Sequence, residues 1–73
     1  EIDLVLDLPG HRQPWAVEIK RGAAPRLERG FHHARADLRP ERSLVVCTAP
    51  EAYSMGDGIE VVNLPAILEM LGS

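Results

Sequence analysis

Trp15-Ala16-Val17-Glu18-Ile19-Lys20 is the stretch on which the fold of this chain turns. It is an apolar run that closes on an acid and a base two positions apart. Side chains alternate faces along a strand, so Glu18 and Lys20 point the same way. A second strand-like run lies upstream, Ile2-Asp3-Leu4-Val5-Leu6-Asp7-Leu8. Between the two sits Pro9-Gly10-His11-Arg12-Gln13-Pro14. Two short apolar runs joined by a Gly/Pro-rich connection predict a β-hairpin. Asp3 joins Glu18 and Lys20 if the register sets residue 3 opposite residues 18–20. Two acids and a lysine then meet at one end of a sheet.

Downstream, Arg21-Gly22-Ala23-Ala24 is a small-residue connection, and Pro25 suits a first helical turn. Leu27, Phe31, Ala34 and Leu38 form one helical stripe, which predicts a helix over residues 25–38. Arg26, Arg29 and His33 are placed on one polar flank, with Glu28, His32, Arg35 and Arg39 on the other. Pro40 stops the helix. Ser43 to Thr48 is apolar throughout and predicts a strand buried on both faces. A right-handed βαβ crossover sets it parallel to, and beside, the Trp15 strand. Residues 49–58 carry Pro, Gly and Asp-Gly signals and are expected to be a loop. A strand over residues 59–63 and a helix from Pro65 complete the order β-β-α-β-β-α.

The chain has 73 residues, which bounds it to one domain, 1–73, with a modest core. Hydrophobic residues at 45% and charged residues at 26% are a globular balance and argue against disorder. No apolar run approaches the ~20 residues needed to cross a bilayer, so no membrane partner is expected. Cys47 is the single cysteine, which excludes an internal disulfide, and its apolar surroundings point to a buried, reduced thiol. The cytoplasm is the expected compartment. The chain begins inside a strand-like run, so the expectation is a fragment of a longer protein whose preceding helix and strand are missing.

Net charge is −3, which does not favour an autonomous nucleic-acid binder. The distribution differs from the total. All eight Lys and Arg residues fall between residues 12 and 42. A phosphate backbone is the partner that such a basic middle would meet, with Arg26 and Arg29 as contact candidates.

Two neighbouring carboxylates repel, and a hard cation such as Mg²⁺ relieves the repulsion. Mg²⁺ takes one or two protein carboxylates and keeps several waters. It can polarise a phosphate and lower the pKa of a bound water. Asp3 followed by Glu18-Ile19-Lys20 resembles the PD-(D/E)xK motif of the restriction-endonuclease-like superfamily, with Ile2 where that motif usually has proline. Glu1-Ile2-Asp3-Leu4-Val5-Leu6, Ala16-Val17-Glu18-Ile19-Lys20 and Gly58-Ile59-Glu60-Val61-Val62-Asn63-Leu64-Pro65 together resemble one branch of it. That branch is the nuclease-like domain at the C-terminus of many prokaryotic AAA+ ATPases, itself catalogued as a domain of unknown function. The resemblance runs from residue 1 to about residue 71. It departs from the branch at Arg21-Gly22, where a serine or threonine often follows the lysine.

The resemblance implies an α/β fold of restriction-endonuclease-like type. It implies a Mg²⁺- or Mn²⁺-dependent phosphodiesterase acting on nucleic acid such as DNA. Asp3 and Glu18 would hold the metal with the Ile19 carbonyl, and Lys20 would orient the attacking water. Glu1, on the Asp3 face, is a further candidate ligand. Two other readings stand beside it. One is a non-catalytic accessory module serving an ATPase domain upstream in the full-length chain. The other is a homodimer formed through exposed sheet edges.

Other residues carry less. His32 and His33 are neighbours on a helix, about 100° apart, and chelate one ion poorly. His11 reads as an exposed turn residue, and Trp15 reads as packing. Asp7 lies roughly 13 Å along the strand from Asp3 and reads as a surface acid. Gly56-Asp57-Gly58 is too short for a phosphate loop.

Overall fold

The computed structural model describes residues 2–72. Five strands and two helices follow one another as β1 (Leu4–Leu6), β2 (Trp15–Ile19), α1 (Arg29–Leu38), β3 (Arg42–Val46), β4 (Tyr53–Gly56), β5 (Ile59–Val62) and α2 (Leu64–Leu71). The strands form one mixed sheet in the order β1-β2-β3-β5-β4. The hairpin holds: β1 runs antiparallel to β2 with Leu4 opposite Val17. The crossover holds as well, with β3 parallel to β2 and Val17 opposite Leu44. β5 continues the parallel block on the other side of β3.

One core lies on each face of this sheet. Phe31 from α1 packs with Val45, Cys47, Ala49, Ile59 and Val61 on one face. Ile67 from α2 packs with Trp15, Val17, Leu44 and Val62 on the other. Leu44 and Val45 are neighbours on β3 that serve opposite cores, as its apolar run requires. Cys47 is buried and free.

Three expectations need correction. The order is β-β-α-β-β-β-α, because residues 53–56 of the expected loop form β4, antiparallel to β5. Asp57 and Gly58 turn the hairpin with φ of 57° and 78°, the two positive angles that a type I′ connection requires. β4 is exposed along its length and its register slips between Ser54 and Gly56. Such a short, bulged edge strand has no buried face to print an alternating pattern on the sequence.

The second correction is the start of α1, at Arg29 rather than Pro25. Pro25 is buried ahead of the helix, and Glu28 is the N-cap, with no side-chain capping bond. The periodic stripe over-reached because Leu27 packs on the same core as Phe31 without being helical. The third is the polar flank of α1: Arg26 precedes the helix and shares a groove with His32.

The ends of both helices follow local chemistry. Arg39 ends α1 in the left-handed region, its N–H donating to the Arg35 carbonyl, and Pro40 follows. Asn63 caps α2: its Oδ1 accepts the Ala66 N–H at 2.9 Å while its Nδ2 donates to the Ala49 carbonyl at 3.1 Å. A side-chain cap of this kind stabilises a helix by about 1 kcal/mol.

Candidate metal and phosphate site at the carboxyl end of the sheet

β2, β3 and β5 are parallel, so their carboxyl ends lie together. Residues 3 and 18–20 meet at that end because β1 returns antiparallel to β2. Open α/β sheets bind ligands at the carboxyl ends of their strands.

The local geometry is a reciprocal clasp. The Ile19 N–H donates to Asp3 Oδ2 at 2.9 Å. The Asp3 N–H donates to Glu18 Oε1 at 3.3 Å. Side-chain oxygens thus take over where the regular β1–β2 register stops. Lys20 Nζ lies 3.3 Å from Glu18 Oε2, so acid and lysine share a face as the alternation demanded. Glu18 is nearly buried, with its side chain 10% exposed, whereas Asp3 is open to solvent. A buried carboxylate needs partners, and Glu18 finds one for each oxygen.

Asp3, Glu18, Glu28, Gly30 and Phe31 line a cleft of about 410 Å³ beside the first turn of α1. Glu28 was not among the expected site residues. The later helix start is what brings it to the cleft wall, and a helix begun at Pro25 hid that signal.

The donors in this cleft are hard oxygens, the kind Mg²⁺ and Mn²⁺ prefer. Among the described residues, no three His, Cys, Asp or Glu side chains are grouped to hold a metal. What the residues fit is a two-carboxylate site, Asp3 and Glu18, with water completing the shell. Asp3 Oδ1 accepts no hydrogen bond from the described residues. Ile19 takes part through its N–H, which orients Asp3. Glu1 lies outside the described residues.

Arg26 and Arg29 are exposed and do not line this cleft. Arg29 opens α1, and Arg26 lines a groove on the β4 side of that helix. Trp15 is buried in the core at the amino end of β2, as packing. His11 is exposed but bound, its Nδ1 2.8 Å from Glu41 Oε2. Trp15 Nε1 also donates to that oxygen, at 3.3 Å. These hydrogen bonds, from His11 first, hold the Glu41 carboxyl below its ordinary value.

A family model described as Domain of unknown function (DUF4143) matches residues 1–67. The chain belongs to that family. The matched span contains Asp3, Glu18, Lys20 and all of the cleft described above. No curated protein and no solved structure matches the chain. No helix among the described residues is long and apolar enough to cross a membrane.

Proposed function

We propose that this chain is a nuclease-like domain of PD-(D/E)xK type, with a restriction-endonuclease-like sheet, that acts on nucleic-acid phosphodiesters with Mg²⁺ or Mn²⁺. The observation that carries the reading is the meeting of Asp3 and Glu18 at one cleft where β1 and β2 pair, with Lys20 ion-paired to Glu18. Asp3 and Glu18 would hold the metal. When bound, it would supply Lewis-acid polarisation of the phosphate. The Ile19 N–H keeps Asp3 in place. Lys20 offers a cation to the developing phosphate charge and a donor that orients the attacking water.

Calorimetric titration with Mn²⁺ tests the metal site. Wild type is expected to show one saturable site that Asp3→Asn loses. A folded wild type with no saturable binding would sink the reading. If the site is real, Lys20→Ala is expected to abolish cleavage and spare metal binding.

A second reading has its own observation. Both Glu18 oxygens and one Asp3 oxygen are already satisfied by protein groups. On that reading the trio fastens the open end of the hairpin, and the domain is an accessory module of a prokaryotic AAA+ ATPase. Glu18→Gln then leaves function intact, which the metal reading forbids.

A further inference from the structure

Across α1 from the acid cleft, the helix and the β4–β5 hairpin enclose a groove. One part, about 360 Å³, is lined by Arg26, Leu27, His32, Met55 and Ile59 among others. The next part, about 310 Å³, is lined by His32, Arg35 and Arg39. His32 and Asp57 border both, so the two parts adjoin. Arg35 builds the wall. Its Nε donates to Ser43 Oγ at 2.6 Å and its Nη2 to the Asp57 carbonyl at 2.7 Å, tying helix, sheet and hairpin turn together. Its Nη1 also lies 3.8 Å from the Asp57 carboxylate.

The charges facing this groove are Arg26, Arg35 and Arg39 against Asp57. Three cations against one anion leave +2 here, in a chain whose net charge is −3. Arg35 is committed to Asp57. Arg26 and Arg39 have no ion-pair partner among the described residues, and both are exposed. Beside Arg26 the wall is apolar, with Leu27, Ile59 and the half-open Met55, and His32 and Asp57 lie where the two parts meet. Two free cations along a groove, with a ring and an apolar wall beside them, suit a chain that alternates phosphates with flat bases.

We propose that this groove binds a single strand of nucleic acid, with Arg26 and Arg39 on its phosphates and His32 and Met55 against its bases. The proposal rests on and deepens the nucleic-acid reading above, since it names a single strand as what the domain holds on the face of α1 away from the acid cleft. It does not depend on a metal.

Fluorescence anisotropy with a labelled oligothymidylate, in EDTA and low salt, tests it. Wild type binds, and log affinity falls linearly with log salt. The double variant Arg26→Gln/Arg39→Asn is expected to bind ~10-fold more weakly, with the salt slope reduced by about 1.4, roughly 0.7 for each single-strand phosphate left without its arginine. Asn tolerates the left-handed angle at position 39, and circular dichroism confirms that the variant folds. Binding is read in EDTA, so a failed metal site and a failed groove give different results. Absent binding by the folded wild type, or a double variant that binds equally well, overturns the proposal. Displacement of the strand by a polyglutamate peptide more readily than by unlabelled oligonucleotide overturns it too, in favour of an acidic protein partner.

Discussion

At the amino end of β2, Glu41 gathers His11, Trp15 and Arg42; at the carboxyl end, Glu18 gathers Asp3 and Lys20. Both acids have polar partners from two residues, Glu41 through hydrogen bonds with His11 and Trp15, and Glu18 through the Asp3 N–H and the Lys20 ion pair. The surroundings separate them. The Glu41 side chain is 40% exposed, and Arg42 divides its charge between the Trp15 ring, 5.4 Å away, and Glu60 at 3.1 Å. The Glu18 side chain is 10% exposed, and the neighbouring Asp3 keeps an oxygen free of donors among the described residues. An acid on an open surface is solvated whether or not it is bonded, so its cluster trims and orients a turn. An acid recessed beside a second acid concentrates negative charge in a cleft that a cation can relieve. The difference lies in burial and in the second carboxylate, since each acid has polar partners from two residues.

Substitutions at the two ends should separate along the same line. The largest effect belongs to Trp15→Ala. It removes a 5%-exposed aromatic side chain from the core and should cost about 3–5 kcal/mol in urea denaturation. Trp15→Phe should recover most of that, because packing rather than the Glu41 bond supplies the stability. Lys20→Met comes next. It leaves a Glu18 oxygen unpaired and should cost about 1 kcal/mol, with the Glu18→Leu/Lys20→Met double variant returning towards wild type. A double variant less stable than either single one would show that the pair is a structural keystone, and would erase the contrast between the ends.

The smallest effect is one of pH. The Glu41 carboxyl is lowered from 4.5 by its bonds to His11 and Trp15. A lowered folded value stabilises the protein above about 4.5, and the contribution is lost as pH falls through that folded value. Glu41→Gln should therefore flatten the acid limb of a stability–pH curve slightly and leave neutral pH almost untouched. An unchanged acid limb would mean that the amino-end cluster is bonded without consequence.

What the sequence disclosed depended on burial. β2, β3 and the α1 stripe face a core, so they can be read, the strands as unbroken apolar runs and the helix as a periodic stripe. The acid–lysine trio was legible for the same reason: Glu18 and Lys20 break an apolar run at alternate positions, and hairpin pairing supplies Asp3. β4 left no trace because nothing on it is buried, although the Asp57-Gly58 pair marked its turn. Glu28 was hidden by a helix start set four residues early, where Pro25 and Leu27 imitated helical signals from an extended segment. The groove on the far side of α1 needed the hairpin, and so could not be seen without β4.

The sheet order also sets a schedule for folding. β3 sits at the centre, with β2 from the first third of the chain on one side and β5 from the last third on the other. During synthesis the β1–β2–β3 half can pair while residues 59–62 are still inside the ribosome. Until they emerge, the Leu44–Val45 strand presents an unpaired parallel edge to its surroundings. The nascent chain is therefore most prone to pair with a neighbour in the interval between translating β3 and releasing β5.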